Sequence, residues 1–192
     1  MNKGRVEAFS DGVVAIIITI MVLELKAPVG AHLHDLRPVL PSLAGYVLSF
    51  IYIGIYWSNH HHMMHTVRRV DGGVLWSNLH LLFWLSIVPF TTAWMGEYPL
   101  ATAPVALYGC VLLMNALAWR VLEHNLVRVE GPDSPLAQAV RKGGKEKLSL
   151  AIYLVGVVLA FFVPVLSLAC YVSVAAMWVI PDLRIERQLG MR

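Results

Sequence analysis

Long apolar stretches, each about the length needed to cross a bilayer, follow one another along almost the whole chain, and short clusters of Lys and Arg separate them. A helix needs about 20 mostly apolar residues to span the hydrocarbon core. The first such stretch runs from Phe9 to Leu25 and stops before Pro28. The second runs from Val39 to Met63, with Pro41 in its first turn, where a missing N–H costs nothing. The third runs from Val74 to Met95 and carries Pro89 as an expected kink, and the fourth runs from Ala103 to Val121. Arg128 to Lys147, with Gly131-Pro132-Asp133 and Gly143-Gly144, reads as the longest and most mobile loop. The last block, Leu148 to Ile180, reads as two short helices, Leu148–Phe162 and Ser167–Ile180, joined near Pro164, or as one long tilted span.

Composition agrees. Of 192 residues, 58% are hydrophobic and only 14% charged, against about 25% charged in an ordinary soluble domain. The mean hydropathy is +0.66. A soluble core of this size cannot hide that much apolar surface; a bilayer removes the need to. The expected fold is therefore an all-α membrane protein, residues 1–192 forming one transmembrane domain of six helices.

The basic residues orient it. Short cytoplasmic loops collect Lys and Arg. With the N-terminus inside, thirteen of the fifteen basic residues fall on that side: Lys3 and Arg5; Arg68 and Arg69; the six from Arg120 to Lys147; and Arg184, Arg187 and Arg192. Only Lys26 and Arg37 fall outside, so both termini are expected in the cytoplasm. The same scatter argues against nucleic acid, which would need a continuous basic face. Cys110 and Cys170 lie within apolar segments and read as small buried hydrophobes. No cleavable leader pattern precedes Phe9, so the first span is expected to remain in place.

The first helix is unusual in entering the membrane as Arg5-Val6-Glu7-Ala8-Phe9-Ser10-Asp11. Ionisable groups at that depth are costly and find partners inside the bundle. At about 100° per residue, Phe9, Ile20 and Leu23 lie within about 40° of Ile16, Thr19 within about 60°, and Asp11 about 140° away. By periodicity alone the stripe is packing surface against lipid or a neighbouring helix, and Asp11 is a polar contact in the bundle.

Arg5-x-x-x-Phe9-Ser10-Asp11, followed by Gly-Val-Val-Ala-Ile-Ile-Ile-Thr and Val22-Leu23-Glu24-Leu25-Lys26-x-Pro28, resembles the first-helix signature of the prokaryotic transmembrane protein 175 family of potassium channels. Trp57-Ser58-Asn59-His60-His61-His62, Arg69-Val70-Asp71 before Leu75-Trp76-Ser77-Asn78-Leu79, and Pro89-Phe90-Thr91-Thr92-Ala93 extend the likeness along the chain. The resemblance implies six-span subunits assembled as a homotetramer around a central pore lined by the first helix, in the plasma membrane and in contact with its lipid. Carried over by position, Ile16 is the main constriction, Ile20 and Leu23 are further hydrophobic rings, and Thr19 offers a hydroxyl between them. Arg5, Phe9, Ser10 and Asp11, with His60 or His61 as partner, are expected to form a structural network at the cytoplasmic helix ends. The permeant species is the potassium ion, modestly preferred over sodium. No Thr-Val-Gly-Tyr-Gly filter is present, so a carbonyl cage does not supply the selectivity.

No cofactor is implied. His61 and His65 stand four apart on one helix face, as a metal pair does, but no Cys is close and Asp71 is the nearest acid in sequence, so no resident metal is expected. A secondary transporter for a small cation or solute is the alternative; it wants a polar midplane site, and the middles of most spans carry no charge. Paired carboxylates, a nucleophile elbow and a phosphate loop are all missing, which weighs against an enzyme.

Overall fold

The computed structural model describes residues 3–141 and 143–179. Lys142, Ile180 at the expected end of the last span, and Arg184, Arg187 and Arg192 lie outside the described residues. Everything described is helical or connecting chain: α1 (Lys3–Leu23), a 3-10 segment (Leu33–Val39), α2 (Leu40–Thr66), α3 (Gly72–Glu97), α4 (Thr102–Glu130), α5 (Pro135–Arg141), α6 (Lys145–Ala160) and α7 (Pro164–Val179). Four of these helices, α1 to α4, are long and apolar enough to cross a membrane.

The boundaries follow local chemistry. Asp71 caps α3 by accepting from the Val74 N–H at 2.9 Å, satisfying one of the donors a helix start leaves open. Gly131, at φ 98°, ends α4 in a conformation that favours glycine, and its N–H closes on the Val127 carbonyl at 2.9 Å. α6 stops at Ala160, three residues turn, and Pro164 opens α7. The block around Pro164 is thus a hairpin, not one tilted span. Pro89 sits inside an unbroken α3.

The stretch expected as a loop from Arg128 to Lys147 is mostly helix. α4 runs on to Glu130, α5 occupies Pro135–Arg141, and α6 begins at Lys145. Ser134 and Pro135 are the reason. The Ser134 hydroxyl accepts from the Ala137 N–H at 3.1 Å while Pro135 takes the first helical position, so one open donor is satisfied and another is absent. Leu136 and Ala137 then bury against the bundle. The run of α4 past Val121 is the cytoplasmic extension that the sequence left open; α5 is what it did not foresee.

Two apolar cores share α2 and α4. One gathers α1, α2, α3 and α4 around Ile17, Ile53, Leu81, Leu122 and Leu126. The other joins α2 and α4 to the α6–α7 hairpin around Tyr52, Tyr108, Tyr153 and Tyr171. Tyr171 on α7 is the key to the second. Gly109 on α4 and Gly156 on α6 leave it room: a Cβ at Gly109 would run into its hydroxyl, and one at Gly156 into its ring. Tyr52 donates to the Tyr171 carbonyl. Between the cores, Ser49, Thr92 and Tyr108 from three helices share hydrogen bonds of 2.7 and 3.0 Å, which pairs these three hydroxyls where no water is at hand.

The basic end is tied by charge. The Glu130 carboxylate accepts from the backbone N–H groups of Arg68 and Arg69 at 2.6 and 3.2 Å. Arg128 reaches Asp71 at 2.7 Å. Arg120 bridges Glu123 at 3.3 Å and Glu146 at 2.6 Å, joining α4 to α6.

Candidate pore helix and its anchor

α1 has two unlike sides. Val6, Ser10, Val14, Ile17 and Met21 are buried against the bundle, spaced at three and four residues as one helical face demands. On the other side Ile16 is 59% exposed, Ile20 42% and Leu23 81%. Thr19 is exposed as well and donates its hydroxyl to the Ile16 carbonyl at 2.8 Å. Its one proton is thereby committed to the helix, and what it turns outward is an acceptor oxygen. An open groove runs between this side of α1 and α3, lined by Ile16, Ile20, Ser86 and Phe90 among others.

The buried side is anchored by a directional chain of hydrogen bonds. Ser10 donates to the Val6 carbonyl at 2.8 Å. Its oxygen therefore accepts, from Asn78 Nδ2 at 2.9 Å. Asn78 Oδ1 is left to accept from His60 Nε2 at 2.8 Å, which fixes His60 with its proton on Nε2. All three residues are buried, and the chain links α1, α2 and α3. Beside it the Trp57 indole donates to Asp11 Oδ1 at 2.9 Å, a second tie between α1 and α2.

The expected signature network is thus divided. Ser10 and His60 meet through Asn78. Asp11 meets Trp57. Arg5 and Phe9 lie on the exposed side of α1, away from both. His61 is turned out, stacked on Trp57 with ring centroids 6.1 Å apart and facing His65. Asn78 and Trp57 are the partners that sequence reasoning did not place in the site. A lone Asn in an apolar span was the available signal, because an amide there must be paired. His80, also inside α3, accepts from the Trp84 indole at 3.0 Å. Among the described residues no three His, Cys, Asp or Glu come together as a metal cage would need.

Comparison with known proteins returns one family. The sequence model described as the endosomal/lysosomal potassium channel TMEM175 matches residues 5–89. A potassium channel of Chryseobacterium sp. is 52% identical over 189 residues, covering 98% of each chain. A potassium channel of Streptomyces collinus is 41% identical over 155 residues, 73% of this chain and 75% of that one. The crystal structure of a lysosomal potassium-selective channel TMEM175 homolog from Chamaesiphon minutus superposes with TM-score 0.81 at 31% identity, over 93% of this chain and 96% of the other.

Proposed function

This chain belongs to the TMEM175 family of channels, and on that premise we propose that it is one quarter of a potassium channel whose pore is lined by α1. The family consists of ion channels, so the protein is not an enzyme. The relatives named as potassium channels support potassium as the permeant ion.

One observation carries the pore assignment. The Ile16, Thr19, Ile20, Leu23 side of α1 is left uncovered by its own subunit, while the opposite side is held by hydrogen bonds to two other helices. A helix that only anchors the protein has no need of such a rigid back. Four copies meeting on an axis cover the stripe with itself. Rings of Ile16, Ile20 and Leu23 then close the path tightly enough to exclude water, which gates by dewetting. An ion crossing them gives up part of its hydration. Potassium holds its water less tightly than sodium, so the barrier favours potassium, modestly. The Thr19 oxygen offers partial compensation between the rings.

In this reading α1 to α4 and the α6–α7 hairpin make six spans. Both termini lie in the cytoplasm with the basic end, and the homotetramer sits in the plasma membrane in contact with its lipid. Arg5 and Phe9 line the inner mouth of the pore, and Ser10, Asp11 and His60 hold α1 in register.

The test is electrical. In liposomes the purified chain passes potassium down its gradient with no coupled ion, at a measurable unitary current. Ile16→Asn, which replaces an apolar ring with amides, raises the unitary conductance several-fold or moves the reversal potential toward that of a nonselective pore. Conductance and reversal potential equal to the parent's would remove Ile16 from the pore.

A further inference from the structure

The four histidines near the end of α2 have different jobs. His60 is buried and bonded to Asn78. His62 turns its Nδ1 back to the Ser58 carbonyl at 2.7 Å. His61 and His65 remain, exposed, with their Nε2 atoms 3.1 Å apart and their rings nearly perpendicular at 79°. We propose that His61 and His65 form a two-imidazole site for a divalent transition-metal ion of the zinc, nickel or copper class, one on each subunit.

Geometry carries the proposal. Residues four apart on a helix sit over the same turn, and here both rings bring the same kind of nitrogen to one point. Two metal–nitrogen bonds of about 2.05 Å whose nitrogens stand this far apart subtend about 98° at the metal. That lies between the square or octahedral angle and the tetrahedral one, so the separation suits chelation once each ring turns its Nε2 from the other ring toward the ion. Without metal the two nitrogens are joined by a hydrogen bond, which the ion replaces. The remaining ligands are water, which the exposed position supplies, since no third His, Cys, Asp or Glu joins the pair among the described residues. Imidazole nitrogens select zinc, nickel and copper over magnesium and calcium, which want oxygen. A resident structural metal was not expected from the sequence; an open, two-ligand site holds its ion reversibly.

The position gives binding a route to the pore helix. His61 stacks on Trp57 at an interplanar angle of 24°, and Trp57 holds Asp11 on α1. An ion fixing His61 therefore acts two contacts away from α1.

Nickel chloride and zinc chloride are titrated calorimetrically into the full-length chain, purified without a histidine tag, at pH 7.5. One saturable ion per chain is expected. His65→Ala weakens binding about tenfold or more, and the His61→Ala, His65→Ala double variant abolishes the saturable phase; His62→Ala leaves it unchanged. Far-ultraviolet circular dichroism and gel filtration establish that each variant is folded. Copper supplies a second readout, its paramagnetic spectrum carrying the hyperfine pattern of two nitrogens in the parent and of one in His65→Ala. Equal affinity in the parent and the folded double variant would overturn the proposal, as would a copper spectrum unchanged by His65→Ala. These readouts do not depend on conduction, so a failed pore assignment leaves them intact.

Discussion

α1 and α4 are both apolar enough to cross a membrane, and α1 is the more hydrophobic of the two, yet only 28% of its membrane-length segment is buried, against 56% for α4. Hydropathy alone would rank them the other way. α4 is enclosed because both apolar cores are built on it and because Arg120 and Arg128 clamp its extension to α6 and to the start of α3. α1 is enclosed on one side only. In lipid, hydrophobicity says that a helix can enter the membrane; which side meets protein is decided by shape and hydrogen bonds. α4 is therefore a structural post, while α1 keeps a face in reserve.

The sharpest way to break this contrast is to truncate one side chain on each helix. Leu122→Ala, at a fully buried site on α4, is expected to cost about 2–5 kcal/mol, while Ile16→Ala, on the open side of α1, costs less than about 1 kcal/mol. Thermal unfolding in detergent measures both. Equal losses would mean that α1 is as structural as α4.

Next in size is Arg120→Met. Glu123 and Glu146 would be left facing one another, with 7% and 13% of their side chains exposed. The loss is expected at about 2–3 kcal/mol, below the full cost of orphaning a buried pair because Arg120 is 36% exposed. The double variant Arg120→Met with Glu123→Gln should recover part of it; no recovery would show that the two groups do not interact.

How much of this was open to sequence reasoning differs between the same two helices. The four long helices are legible because length and apolarity alone mark them, and the Pro164 hairpin because the apolar block Leu148 to Ile180 is too long for one span and carries a proline in its middle. The outward stripe of α1 is legible as a stripe, since it is pure periodicity. The anchor behind it is not. Ser10, Asn78 and His60 come from three helices, and nothing in their spacing says that they meet. Asp11 is marked by its charge, but nothing in the sequence names Trp57 as its partner. α5 was missed because Gly131-Pro132-Asp133 announces a turn so strongly that Ser134-Pro135, a helix start, was absorbed into it.

The anchor yields the third effect. Asn78→Ala leaves the His60 Nε2–H and the Ser10 oxygen without their partner in the interior. The expected cost is about 1–3 kcal/mol, with Ser10→Ala and Asn78→Ala showing a coupling of at least about 0.5 kcal/mol in a double-mutant cycle. Strict additivity would dissolve the chain into unrelated contacts.

The smallest effect is at Thr19. Thr19→Val keeps the branched shape and removes the outward oxygen. Stability should stay within about 0.5 kcal/mol of the parent, while the preference for potassium over sodium rises about twofold, since an oxygen repays the dehydration of the smaller sodium ion more; that is about 0.4 kcal/mol, a fraction of the roughly half to one and a half kcal/mol net of one hydrogen-bond acceptor. Bi-ionic reversal potentials read the change. An unaltered preference would assign selection to the apolar rings alone.

Tyr171 has a consequence for descent. Its ring occupies the space that Gly109 and Gly156 leave vacant on two other helices, so three positions distant in sequence constrain one another like lock and key. A side chain acquired at either glycine while the tyrosine is kept obliges the ring or the hairpin to shift. The change is best tolerated in company with a smaller residue at 171.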